Sequence, residues 1–223
     1  MTSKSEKIYQ LMRREIIRLE LAPGAAISEK DLGRRFQSSR TPVHEAVQRL
    51  AKEGLVVILP QSGTYVCRLS RQTSEEGFII RRALEIEAVR RAATRISPSE
   101  IMALRESIED MRRILHDGPL LDYINVDDTF HAQIAAASGL VNIWRFINQA
   151  KVHLDRLRHL STPVPGHLER VTDEHTLIVD ALEAHDRDKA ELSLRVHLDA
   201  SYEVMRRLGD QQSHLFADEP EGG

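Results

Sequence analysis

Four side chains in the C-terminal part of this 223-residue sequence carry groups that bind metals: Asp127, His131, His175 and His197. Asp127 and His131 stand four apart in the stripe Ile124, Asp127, His131, Ile134, Ala135, so on a helix a carboxylate and an imidazole share one face. The same spacing favours Asp127 over its neighbour Asp128. His175 precedes Ile178, Val179 and Leu182 on a second apolar stripe, and His197 shares a third with Ala190, Leu194, Ser201, Val204 and Leu208. Polar groups on such faces are costly unless partnered. One carboxylate with three imidazoles suits zinc or another divalent first-row ion, nickel and manganese being the alternatives, and leaves room for water or an exogenous ligand. The same pattern also suits core histidines satisfied by Asp127 or by backbone groups, and the residues alone leave both readings open. Arg81 shares a face with Phe78, Leu84, Glu85 and Ala88, where a guanidinium needs an anionic partner, either Glu85 or an acid from elsewhere. His116, His153, His159, His167, His185 and His214 fit no such pattern and read as surface or packing residues.

The elements that must position these groups are helices. Periodicity predicts helices over 74–95, from the capping box Ser97-Pro-Ser-Glu100 to about His116, over 120–138, over 141–160, over 172–185 and over 186–208. Ser161-Thr-Pro-Val-Pro-Gly166 is the most loop-like stretch, and the polar segment 209–223 reads as a disordered tail.

The N-terminal 70 residues have a different plan. Ile8, Leu11, Met12, Ile16 and Leu19 recur at helical spacing until Pro23-Gly24. A short helix follows the cap Ser28, and after the polar turn Gln37-Ser-Ser39 a third runs from Arg40 to Gly54, with Pro42 in its first turn. The runs Leu55–Leu59 and Thr64–Cys67, joined by Pro60-Gln-Ser-Gly63, read as a two-stranded hairpin. Helix, helix, turn, helix and wing is the layout of a winged helix-turn-helix, whose third helix enters the DNA major groove. Charge agrees: residues 1–70 hold 12 Lys+Arg against 7 Asp+Glu (+5), which leaves 19 against 27 (−8) for the remainder. A basic part can meet phosphates, whereas an acidic part is better suited to dimerisation or to another ligand.

Leu21-Ala-Pro-Gly-Ala-Ala-Ile-Ser-Glu29, Ser39-Arg-Thr-Pro-Val-His-Glu-Ala-Val-Gln-Arg-Leu50, Glu53-Gly-Leu-Val56 and Gln61-Ser-Gly-Thr-Tyr-Val66 closely resemble the GntR family of bacterial transcription regulators. The resemblance implies that Arg40 and Thr41 contact bases and phosphates at the head of the recognition helix. It further implies that Lys30 contacts the operator and that Ser62 and Gly63 carry the wing tip to the minor groove. His44 stands where the family usually has arginine, and a neutral imidazole lacks that fork, so contact strength or half-site sequence is expected to differ there. Asp127-Asp-Thr-Phe-His131, Glu174-His175 and Val196-His197-Leu198 resemble the metal-site positions of the FCD ligand-binding domain in the FadR-type branch of that family. The resemblance thus favours the metal reading, and it makes Arg81 the arginine that clasps an effector carboxylate.

The expected molecule is mainly α: a winged helix-turn-helix over 1–70, an all-helical metal- and effector-binding, dimerising domain over 71–208, and the tail. Its expected function is sequence-specific DNA binding as a regulator, more often a repressor, controlled by a small organic acid. Its expected operator is a pseudo-palindromic double-stranded DNA read by a homodimer. A metal-dependent hydrolase or oxygenase using the same Asp/His cluster is the rival, but no general base flanks the ligands in sequence. The longest apolar runs, such as Leu55–Pro60, are too short to span a membrane, the first residues do not read as a secretory signal, and Cys67 is the single cysteine, so the cytoplasm is the expected compartment.

Overall fold

The computed structural model describes residues 3–217. The chain divides into two compact units, one formed by residues up to Thr73 together with the segment from Gln212, the other by Ser74–Gln211.

In the first unit, α1 (Lys4–Ile17) starts at Ser3, whose hydroxyl accepts from the Glu6 amide, and it buries Ile8, Tyr9, Met12 and Ile16. Ser28 caps α2 (Glu29–Arg35) in the same way through the Asp31 amide. The α3 helix (Arg40–Lys52) turns Val43, Ala46, Val47 and Leu50 inward against α1, which leaves Arg40, Thr41, His44, Glu45 and Gln48 exposed. The wing differs from the expected hairpin. It is a three-stranded antiparallel sheet in which β1 (Ala26–Ile27) and β2 (Val56–Leu59) flank β3 (Gly63–Val66), with Val56 opposite Val66 and Leu59 opposite Gly63. A two-residue strand is too short to show alternation, so periodicity misses it.

The expected disordered tail is corrected for residues 209–217. The last helix runs to Gln211, a 3-10 turn covers Ser213–Leu215, and Phe216 bridges Leu69 in parallel, with the Leu69 amide donating to the Leu215 carbonyl and the Ala217 amide to the Leu69 carbonyl, both at 2.9 Å. Phe216 is buried beneath the Arg71 guanidinium, and Arg68 donates to the His214 carbonyl. The remainder of the expected tail lies outside the described residues.

The second unit is all helical: α4 (Arg71–Ala92, beginning in the first unit), α5 (Pro98–Asp117), α6 (Tyr123–Ala137), α7 (Ile143–Ala150), α8 (Val152–Ser161), α9 (His167–Glu183) and α10 (Arg187–Gln211). The capping box at Ser97 and Glu100 forms as the sequence predicts. α5 packs on α6 and α9, and α10 packs on α8 and α9. Their shared core includes Leu104, Ile108, Phe130, Ile178, Leu182 and Leu194.

Several boundaries differ from expectation, α4 among them by three residues at each end. α6 starts after a 3-10 turn at Leu120–Asp122, α9 starts at His167 rather than near Thr172, and the helix expected over 141–160 breaks at Lys151. Neither Pro nor Gly marks that break. Lys151 is drawn inward, its Nζ 2.7 Å from Asp155 Oδ2 one turn on and 2.6 Å from Asp128 Oδ2 on α6, and the second contact is one that local sequence does not encode.

Candidate functional site

Asp127 and His131 on α6, His175 on α9 and His197 on α10 converge in the core of the helical unit. One ligand atom from each lies within 4.8 Å of the other three, and the residues are 4%, 1%, 0% and 3% exposed. Asp128, by contrast, turns away to Lys151 and Arg158. The imidazole edges away from the cluster are partly held. His131 Nδ1 lies 2.6 Å from Glu85 Oε2 but outside hydrogen-bond geometry, His197 Nδ1 donates to Glu174 Oε2 at 2.9 Å, and His175 Nδ1 lies 3.2 Å from Met111 Sδ. The facing edges are not. Nε2 of His131 and Nε2 of His175 are buried without a hydrogen-bond partner, at 3.8 Å from Asp127 Oδ2 and 3.5 Å from Asp127 Oδ1. Such orphaned nitrogens are uncommon in protein interiors. An imidazole whose outer nitrogen is fixed by a carboxylate while its inner nitrogen faces other ligands is the arrangement of a metal site. The donor set therefore fits a divalent cation.

The electrostatics hold Asp127, His175 and His197 in ligand-ready form. Burial disfavours charge on Asp127, but the Arg158 guanidinium and the imidazoles of His131 and His175 outweigh it and hold the carboxyl well below the usual carboxylate range. Burial and the neighbouring imidazoles push His175 well below the ordinary histidine value. His197 is lowered too, mainly by burial. Carboxylate and neutral imidazoles are the forms that bind metals.

Beside the cluster lies a cavity of about 40 Å³ lined by Arg81, Asp127, Arg158, His167, His197 and Ser201 among others. At roughly 10 to 15 Å³ per water, it holds only a few non-hydrogen atoms. Arg81 donates from Nε to Glu85 Oε1 at 2.6 Å, the acidic partner on its own helix, and its side chain also lines the cavity. Sequence reasoning gave no role to Arg158, which contacts Asp127 Oδ2 and also donates to Asp128 Oδ1 at 2.6 Å and Asp155 Oδ1 at 2.8 Å. It missed Glu174 as the orienter of His197, although the residue stood inside the quoted Glu174-His175 pair. His167, read as a surface or packing residue, is buried on the cavity wall, and burial pushes its imidazole down to about 4.

In the first unit Lys30, Arg40 and His44 border one concavity with Glu29 and Arg34, and all three are exposed. Thr41 is exposed beside Arg40, and Ser62 and Gly63 are exposed at the turn of the β2–β3 hairpin, where Tyr65 donates its hydroxyl to the Ser62 carbonyl at 3.1 Å. Arg34 and Arg35 are occupied by Asp31 and Glu15. A helix start flanked by basic side chains is suited to phosphate, and arginine to a base edge.

The comparisons with known proteins agree with this division. Residues 4–66 match the model of the gntR family of bacterial regulatory proteins and residues 76–200 that of the FCD domain. The chain is 33% identical to the HTH-type transcriptional repressor RspR of Escherichia coli over 215 residues, 96% of this chain and 94% of that protein. It is 30% identical to a probable D-xylose utilization operon transcriptional repressor of Paenarthrobacter nicotinovorans, over 89% and 87% of the two chains. Among solved structures, E. coli McbR/YncC superposes with a TM-score of 0.80 at 23% identity, covering 93% of this chain and 99% of that one, which speaks to the fold. Among the described residues no helix is long and apolar enough to cross a membrane. These relatives are regulators of transcription, not hydrolases or oxygenases, and the chain belongs to the GntR family of transcription regulators, in its branch with an FCD domain.

Proposed function

We propose that the protein is a cytoplasmic, homodimeric repressor whose hold on a pseudo-palindromic operator is controlled by a small organic acid bound at a metal centre. Arg40 and Thr41 would meet bases and phosphates in the major groove, with His44 further along the same face. Lys30 would meet the backbone, and Ser62 and Gly63 would approach the minor groove. Asp127, His131, His175 and His197 would hold the ion, zinc first, with nickel or manganese as alternatives. Bound there, the ion would supply a Lewis-acidic position for an acid's carboxylate. Arg81 would take the same carboxylate by a charge-assisted hydrogen bond, and the small cavity selects a compact acid. Repression is supported by the relatives named as repressors.

The observation that carries this reading is the pair of orphaned Nε2 atoms facing Asp127 beside a cavity that also presents Arg81. An effector controls DNA binding only through different affinities for the DNA-competent and DNA-incompetent states. In a thermal-shift screen of small carboxylates on zinc-loaded protein, the best acid should raise the melting temperature. Calorimetry with that acid should show at least tenfold weaker binding to Arg81→Ala, and equal binding would sink the assignment of Arg81. A duplex carrying the upstream region of the protein's own operon should bind with a steep salt slope. Absence of sequence-selective binding with and without zinc would remove the operator reading.

A further inference from the structure

The exposed stripe of α3 presents Arg40, His44 and Gln48 at intervals of four, one beneath the other on the face turned from α1. The imidazole of His44 is not free to choose its orientation. Its Nδ1 lies 2.9 Å from Oε1 of Glu29, the first residue of α2. A carboxylate oxygen only accepts, so Nδ1 carries the proton and donates, and in a neutral imidazole Nε2 is then an acceptor. The amide nitrogen of Gln48 lies 3.5 Å from Nε2, at the long limit of a hydrogen bond, so the single lone pair of Nε2 is open to a base amine once the Gln48 amide turns to a base of its own. In its neutral form the half-exposed imidazole thus presents an acceptor edge along the stripe, whereas a protonated ring would present donors on both edges.

Base edges in the major groove distinguish an acceptor from a donor. Guanine offers only the acceptors N7 and O6 there, whereas adenine offers the N6 amine and cytosine the N4 amine as donors. We infer that His44, held in one tautomer by Glu29, is a specificity-determining residue that reads the exocyclic amine of adenine or cytosine at one position of the half-site and disfavours guanine there. Gln48, one turn on, carries donor and acceptor together and is matched to adenine N6 and N7. Glu29 acts as a positioning residue: it touches no base and decides which nitrogen of His44 carries the proton. The inference rests on α3 being the helix that reads DNA.

Selection of full-length protein on a randomised double-stranded DNA library tests both layers. Wild type should enrich a half-site in which one position prefers adenine or cytosine over guanine by on the order of tenfold. His44→Arg, which replaces an acceptor by a donor fork, should move that position to guanine and leave the rest of the half-site unchanged. Glu29→Ala should flatten the preference at the same position, because the imidazole is then free to present either edge. His44 is exposed and Glu29 half-buried, and unchanged thermal melting verifies that the variants fold. A half-site that His44→Arg leaves unaltered, or a wild-type guanine at the position it alters, overturns the inference. A library in which wild type enriches no sequence overturns the reading of α3 itself, an outcome told apart by the lack of any enriched position.

Discussion

His131 buries both ring nitrogens and His175 one without a hydrogen-bond partner among the described residues, and this is the main reason to treat the cluster as more than core packing. Purely structural histidines would be expected to spend both nitrogens on partners. The cluster also makes stability depend on pH in the metal-free protein. The folded-state values of His175 and His197 lie below the ordinary histidine value of about 6.5, so between the two values the unfolded chain binds more protons than the folded one. Their contribution is fully present above pH 6.5 and is lost as pH falls below it, at up to about 1.4 kcal/mol per pH unit for each imidazole. Asp127 and Glu85, held far below the usual carboxylate range despite burial, act with the same sign at lower pH: their contribution is present above about pH 4 and lost beneath it. Denaturant unfolding of metal-free protein at pH 7.5 and 5.5 should show lower stability at 5.5. Equal values, or a gain on acidification, would contradict the neutral state assigned to these imidazoles. Asp127, His131, His175 and His197 were legible because each sat on an apolar stripe. Arg158 was not, because a guanidinium on α8 becomes part of the centre only through contacts to Asp127 and Asp128 on α6.

At the scale of the elements, the sequence specified the helices that end in caps, glycine or proline and misjudged those shaped by tertiary contacts. Ser28 and the Ser97 box were readable because a hydroxyl cap is a local device. The break between α7 and α8 was not, and Gly77 of α4 shows what sits against it. A Cβ at Gly77 would stand 2.5 Å from the carbonyl oxygen of Ala150. Gly77→Ala therefore sets two effects against each other. Helix propensity favours alanine by about 1 kcal/mol, and forced displacement of α4 from the break costs about 1 to 3 kcal/mol. The second should win, and a net loss of stability is expected on chemical denaturation; a more stable variant would mean that the two backbones separate freely. The segment after α10 was misread because its polar composition hid one anchor. Phe216 is buried beside Leu69, and Phe216→Ala should cost about 2 kcal/mol of the first unit's stability. Differential hydrogen exchange at Leu69 and along β3 is the measurement, and unchanged protection there would show that the segment stabilises nothing.

Taken as a whole, the chain pairs a basic unit with an acidic one, and the net charge of −3 conceals this. DNA phosphates require cations on one surface, whereas the helical unit carries most of its acidic residues exposed, with Glu85, Asp127 and Asp155 buried beside cations and imidazoles. Regulation in the proposed function depends on the helical unit's Asp/His cluster being a metal centre. Zinc titration into metal-free, tag-free protein, with a competing chelator to define the affinity, tests this most directly. One equivalent per chain is expected, raising the melting temperature of wild type, with binding lost in Asp127→Ala and in His197→Ala while both variants remain folded. A folded wild type that takes up no zinc, nickel or manganese, or variants that bind as wild type does, would contradict it.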